Sequence, residues 1–168
     1  MTLFSFELLD AAGTLIETLR DRGLRIATAE SCTGGLLCGL LTEVPGASDS
    51  VERGFVTYSN AAKSALLGVK PELIEREGAV SEAVARAMAE GALAHAPVDV
   101  AIAVTGIAGP SGGTESKPVG LVYLAITIKG HGTEVRECRF GDLGRTAIRL
   151  ATLVEALAMA RTAVGSAE

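Results

Sequence analysis

Ala29-Glu30-Ser31-Cys32-Thr33-Gly34-Gly35, directly after the apolar run 24–28, is the stretch on which the fold turns. A short buried strand leads here into hydroxyls and paired glycines, and Leu36-Leu37-Cys38-Gly39-Leu40-Leu41 reads on as a helix. Ser31 therefore stands at a strand end, beside the unpaired backbone N–H groups of a helix N-terminus. Such groups stabilise a phosphate, a carboxylate or a developing oxyanion. Gly34 and Gly35 carry no side chain to keep a ligand off the backbone. A serine so placed can be a nucleophile, and Ser31 or Thr33 can equally be a plain helix cap. The segment by itself leaves both readings open.

Working outward, apolar residues at Leu8, Ala11, Ala12, Leu15, Ile16 and Leu19 predict a helix over 8–22, stopped by Gly23. Residues 24–29 read as the first strand and 33–42 as the second helix, with a turn at Pro45-Gly46. Residues 51–58 read as a strand and 60–67 as a short helix, and Pro71 opens another turn or two of helix over 71–75. Ser81 caps a strongly helical stretch that runs to about His95 and stops before Pro97. Residues 98–105 are almost wholly apolar, the mark of a strand covered on both faces. A glycine-rich loop over 106–117 follows, then a hairpin of 119–129 and 134–140 turning at Gly130-His131-Gly132, and a final helix from about 144 to 164.

Strands alternating with helices imply parallel pairing, and the hairpin adds an antiparallel strand. The expected fold is α/β: a single domain over 1–168, built as a three-layer α/β/α sandwich with a mixed, mostly parallel sheet. Ligands in open sheets of this type bind beyond the strand carboxyl ends. Residues 31–35, 58–63 and 105–113 are expected to converge there.

The 168 residues are enough to bury a core, and with aromatics at only 4% that core must come from Ala, Val, Leu and Ile. Fifteen basic and twenty acidic residues give a net charge of −5 without any Lys/Arg-rich run, which argues against nucleic acid as a partner. Mean hydropathy is +0.37, yet no apolar run approaches the roughly 18–20 residues of a membrane span. Met1-Thr2-Leu3-Phe4-Ser5-Phe6-Glu7 lacks the charged start and long apolar stretch of a secretory signal. Cys32, Cys38 and Cys138 form an odd, sparse set without metal-ligand spacing. Reduced thiols, a cytoplasmic location, no membrane contact, no metal and no cofactor are expected. The Ala-rich face of the last helix can pack on the sheet or on a second subunit, so homo-oligomerisation stays open.

If Ser31 is a nucleophile, something must activate it. The two histidines, His95 near a helix end and His131 at a hairpin tip, belong to elements not placed near Ser31, so a Ser-His-Asp triad is not expected. Of the four lysines, Lys63 stands out, in Tyr58-Ser59-Asn60-Ala61-Ala62-Lys63. It falls in the first turn of a helix that Ser59 or Asn60 would cap. There the positive end of the helix dipole disfavours its charged form, and partial burial would depress its pKa further from about 10.4. That is what a lysine base requires; an ordinary surface lysine is the competing reading. Tyr58 can hydrogen-bond Ser31, Lys63 or a ligand, or simply sit at a strand rim. Cys32 is a rival nucleophile, although side-chain alternation argues against its sharing a pocket with Ser31. Glu30 can hold Lys63 or cap backbone groups. Arg145 can pair with a substrate anion, and Arg149, one turn later, can do so or be structural. The loop Thr105-Gly106-Ile107-Ala108-Gly109-Pro110-Ser111-Gly112-Gly113-Thr114 fits neither a P-loop nor a dinucleotide fingerprint.

Four ordered motifs, namely Ala29-Glu30-Ser31-Cys32-Thr33-Gly34-Gly35, Tyr58-Ser59-Asn60-Ala61-Ala62-Lys63, Gly78-Ala79-Val80-Ser81 and Ala103-Val104-Thr105-Gly106-Ile107-Ala108-Gly109-Pro110, together resemble the CinA C-terminal domain family. The resemblance covers most of residues 8–165 and implies a three-layer α/β/α sandwich in its stand-alone form. It further implies a nicotinamide-nucleotide amidase of the PncC type, hydrolysing the carboxamide of a pyridine mononucleotide without a metal. By it Ser31 attacks the amide carbon, Lys63 shuttles the proton, Tyr58 assists, Thr105 and Gly106 line the pocket and Arg145 matches the family arginine near the last helix. Thr33, Gly34, Gly35 and Asn60 are further expected substrate contacts, with backbone N–H groups around 33–35 or 105–106 as the oxyanion hole. The family often reads Gly-Asp-Arg before the last helix, whereas this chain has Gly141-Asp142-Leu143-Gly144-Arg145, an arginine displaced by two residues. The contrasting expectation is a non-catalytic module binding a small ligand or a protein, which needs no polarised Ser31–Lys63 pair.

Overall fold

The computed structural model of the chain describes residues 2–167. Its elements in order are α1 (Phe6–Asp21), β1 (Ile26–Glu30), α2 (Leu36–Thr42), a 3₁₀ turn (Ala47–Asp49), β2 (Val51–Val56), α3 (Asn60–Leu67), α4 (Pro71–Glu77), α5 (Glu82–His95), β3 (Val100–Gly106), β4 (Leu121–Ile128), β5 (Gly132–Arg139) and α6 (Arg145–Ser166). The sheet runs β2-β1-β3-β4-β5. β1 pairs in parallel with β2 and β3, whereas β3–β4 and β4–β5 are antiparallel. The carboxyl ends of β1, β2 and β3 therefore share one edge.

Two apolar layers flank the sheet, and they differ in kind. Toward α1, α2 and α6 the strands present Ile26, Val100, Ile102, Val104, Val122, Leu124 and Ile126. Toward α3, α4 and α5 they present Ala29, Ala101, Ala103 and Ala125. Small residues on that face let α5 lie close, and each fully buried Leu or Ile on the other contributes about 1.5–3 kcal/mol. This is the three-layer α/β/α sandwich with a mixed sheet. No helix among the described residues is long and apolar enough to cross a membrane.

Several boundaries differ from the pattern-based ones, each for a local reason. Leu24 is not strand, because its N–H closes the end of α1 on Leu19 O at 2.8 Å. Residues 33–35 are not helix, because Gly34 (φ 58°) and Gly35 (φ 96°) hold left-handed conformations that an α-helix cannot continue. β2 stops at Val56, so Tyr58 follows the strand instead of ending it. β5 begins at Gly132, nearer the hairpin tip than expected, and α6 continues to Ser166.

Candidate active site

Strand periodicity separates the two polar residues that end β1. Alternating side chains send Ile26, Thr28 and Glu30 to the α2 face and Ala27, Ala29 and Ser31 to the α3 face. Glu30, fully buried, turns its carboxylate to the start of α2, accepting from Gly35 N (3.1 Å), Leu37 N (3.0 Å) and Cys38 N (2.8 Å), with Thr28 Oγ1 donating at 3.2 Å. This resolves the open choice for Glu30 in favour of backbone capping. Gly35, not Ser31 or Thr33, occupies the cap position of α2 and makes no side-chain cap. The α2 N-terminus is thereby filled by the protein's own anion.

Ser31 faces Lys63. Ser59 Oγ accepts from Ala62 N at 3.0 Å and starts α3, placing Lys63 one turn in. Its side chain runs back toward the helix N-terminus, as helical side chains do. Lys63 Nζ lies 3.0 Å from Ser31 Oγ, donates to Thr57 O at 2.9 Å and reaches Tyr58 O at 3.5 Å. Lys63 is 1% exposed, and among the described residues no carboxylate pairs with it. Burial lowers its pKa from the ordinary lysine value, an effect that the neighbouring Cys32 opposes. A neutral Nζ has two hydrogens and one lone pair, so both carbonyls can be served while the lone pair accepts the Ser31 hydroxyl proton.

Cys32 lines the same cavity as Ser31, contrary to the expected alternation, because β1 ends at Glu30 and the turn that follows does not alternate. Desolvation pushes the Cys32 thiol up to about 11, so the sulfur stays protonated at neutral pH.

Around the pair lies a cavity of about 300 Å³. The segments after β1 and β2 and the end of β3 with its following loop meet in it, contributing Ser31 and Cys32, then Tyr58, Asn60 and Lys63, then Thr105, Gly106 and the loop to Gly112, with Arg145 closing one side. Thr105 Oγ1 donates to Ala79 O at 2.8 Å. Gly106 has no room for a side chain: a Cβ would stand 2.6 Å from Val122 Cγ2 on β4. Arg145 donates to Gly109 O and to Tyr58 Oη, each at 2.9 Å, so it joins two walls of the cavity. The Tyr58 hydroxyl is thus engaged with Arg145, while the Tyr58 carbonyl serves Lys63.

Thr33, Gly34 and Gly35 lie outside the cavity lining. Thr33 is fully buried with its hydroxyl unpartnered, Gly35 N is spent on Glu30, and Gly34 N donates to Ser31 O at 3.0 Å. The structure brings in Ala79 and Val80, to which the sequence attached a motif and no role. It also brings in Arg149, whose Nε donates to Cys32 O at 3.1 Å and Nη2 to Thr33 O at 2.9 Å. Its helical spacing from Arg145 was the one available signal. Among the described residues, no group of three or more His, Cys, Asp or Glu is placed to hold a metal ion.

The chain matches the CinA C-terminal domain family over residues 9–164. It is 48% identical over 144 residues to the nicotinamide-nucleotide amidohydrolase PncC of Escherichia coli, covering 85% of this chain and 86% of that protein. It is 49% identical to a CinA-like protein of Syntrophotalea carbinolica over 92% of this chain and 37% of that protein. It spans about a third of the length of the longer relatives it matches. The crystal structure of competence/damage inducible protein CihA from Agrobacterium tumefaciens superposes with a TM-score of 0.96 at 49% identity, covering 99% of this chain and all of that one. A CinA superfamily structure from Escherichia coli gives a TM-score of 0.86 at 35% identity, covering 94% and 91%.

Proposed function

This chain belongs to the CinA C-terminal domain family, and from that premise we propose that it hydrolyses the carboxamide of nicotinamide mononucleotide, releasing ammonia and nicotinate mononucleotide through a Ser31–Lys63 pair. The observation that carries the proposal is the buried 3.0 Å contact between Lys63 Nζ and Ser31 Oγ, with no carboxylate paired to the lysine among the described residues. Burying an unpaired ammonium is costly, so the site favours the neutral amine, the form that can act as a base. The named activity of the Escherichia coli relative supplies the substrate class.

Ser31 Oγ attacks the carboxamide carbon while its proton passes to Lys63 Nζ, giving a tetrahedral intermediate. Lys63 then returns that proton to the leaving nitrogen, the C–N bond breaks, and ammonia departs from an acyl-Ser31 ester. Water attacks the ester with Lys63 again as base, freeing the carboxylate product and restoring Ser31. The oxyanion falls to the turn after Ser31, where Cys32 lines the cavity. The amides of Gly35, Leu37 and Cys38 are held by Glu30 and do not compete for it. The phosphate falls to the opposite wall, where Arg145 and the loop around Gly109 and Gly112 provide a cation and open backbone. Asn60 and Thr105 flank the space between.

The test is incubation of the purified protein with nicotinamide mononucleotide and a chelator, with ammonia and nicotinate mononucleotide measured. Product from wild type and none from folded Ser31→Ala or Lys63→Ala is the expected result. A folded wild type that forms no product moves the protein to the binding-module reading. Activity surviving in Ser31→Ala removes the proposed nucleophile.

A further inference from the structure

We propose that Lys117 is a positioning residue: it ties the loop after β3 to the end of α4 and so fixes the gap between two walls of the cavity. The inference rests on the amidase reading above. One wall is Ala79 and Val80, between α4 and α5; the other is the loop from Ile107 to Gly112. The sheet holds each wall at its root. Thr105 Oγ1 on β3 donates to Ala79 O at 2.8 Å. The loop is rooted by Ile107 N on Leu121 O at 2.9 Å and Gly120 N on Ile107 O at 2.8 Å. Farther out the loop is tied on both sides. Arg145 holds Gly109 O at 2.9 Å on one side, and on the other Lys117 Nζ donates to Glu77 O at 2.6 Å.

The chain builds this tie from both ends. Thr114 and Lys117 close a turn, with Thr114 N on Lys117 O at 2.8 Å and Lys117 N on Thr114 Oγ1 at 3.0 Å. Pro118 follows and restricts the Lys117 backbone to extended conformations, so the side chain leaves from a fixed base. Its ammonium lands on the last residue of α4, where helix carbonyls lack intrahelical partners and the negative end of the helix favours a cation. Gly78 caps that helix with φ 80°, and a Cβ there would stand 2.8 Å from Lys117 Nζ. Glycine is thus required twice, by the backbone turn and by the ammonium beside it. Lys117 itself lies outside the cavity lining, so it acts through the walls. Those walls carry Ala79, Val80, Ile107 and Ala108, apolar groups suited to the flat faces of a pyridine ring. The tie therefore governs substrate capture and leaves the Ser31–Lys63 contact alone.

The experiment compares wild type with Lys117→Met in three measurements, with cooperative melting as the check on folding. These are steady-state hydrolysis of nicotinamide mononucleotide, labelling of Ser31 by a small fluorophosphonate, and hydrogen exchange read by mass spectrometry. In the labelling, Ser31 Oγ bonds to phosphorus, its proton goes to Lys63 Nζ, the P–F bond breaks and fluoride leaves. It reports on the catalytic pair without the walls. The expected KM of Lys117→Met is about three- to tenfold higher, the range that loss of one hydrogen bond spans, with kcat and labelling rate unchanged. Amides of 78–81 and 108–117 should exchange faster. A folded Lys117→Met with wild-type KM or wild-type exchange overturns the proposal. So does a loss of kcat and labelling in step with KM, which would place Lys117 with the catalytic pair. A KM gap that closes in about 0.5 M salt also overturns it, because Lys117 would then act by long-range attraction of an anionic substrate. If Lys117→Met does not melt cooperatively, Lys117→Ala is held to the same outcomes. A folded wild type that forms no product removes the substrate reading, whether or not Ser31 labels. The tie is then decided by exchange alone, faster in the variant if it holds and unchanged if it fails.

Discussion

In the proposed mechanism, Lys63 concentrates the chemistry into one titration. Its Nζ is buried against Ser31 Oγ and the Thr57 carbonyl, and desolvation lowers its pKa. Activity should therefore rise with pH as Lys63 loses its proton, with an inflection below the ordinary value near ~10.4. The same shift acts on stability, and its sign follows from proton binding. Between the lowered folded pKa and ~10.4 the unfolded chain holds more protons than the folded one. Unfolding free energy then climbs with pH, by at most about 1.4 kcal/mol per unit. Below the folded value both states are protonated and the slope vanishes. Urea midpoints of wild type and Lys63→Met, compared from neutral to alkaline pH, should move in favour of wild type as pH rises. A gap that stays constant across that window would mean that Lys63 titrates as an ordinary lysine.

At the scale of an element, α2 depends on Glu30. Seven residues are too few for a helix to persist on propensity, and no residue at its cap position supplies an oxygen. The carboxylate at the end of β1 provides acceptors for the Gly35 cap amide and for two amides of the first helical turn, Leu37 and Cys38, from within the core. Glu30→Gln keeps the size but replaces one acceptor oxygen with a donor facing N–H groups. Equilibrium urea unfolding should show a loss of about 1–3 kcal/mol. A loss below about 0.5 kcal/mol would show that water or a repacked turn satisfies those amides equally well. Half of this arrangement was legible: a period of two already separates Glu30 from Ser31. The partner of Glu30 was not, because α2 begins at Leu36 and not at the expected residue 33, after two glycines in left-handed conformations.

Over the whole molecule, the approach of α3 to α5 sets the position of Lys63. The alanine face of the sheet brings α5 close, and Gly91 on α5 meets the end of α3 so tightly that a Cβ there would lie 2.0 Å from Leu67 O. Alanine is the better helix former by about 1 kcal/mol. Gly91→Ala should nevertheless destabilise the protein by about 1–3 kcal/mol, because α3 must stand off from α5. Since α3 carries Lys63, nicotinamide mononucleotide hydrolysis should fall with it. A Gly91→Ala protein that is more stable and fully active would show that α3 yields without disturbing the Ser31–Lys63 contact.

The sequence by itself determined the order of strands and helices along the chain, the α/β class and the sheet edge on which the candidate site lies. It also singled out Ser31 and Lys63. These follow from local signals: hydrophobic period, caps and glycine turns. Only the tertiary structure decided that Lys63 Nζ meets Ser31 Oγ across 32 residues of chain, that Glu30 faces α2 and not Lys63, and that Arg149 reaches the Ser31 turn across 117. Which side chains touch at such separations depends on strand order and on how closely each helix can approach the sheet. Both are set by the sum of many small burial and packing terms, and no local pattern of residues contains that sum.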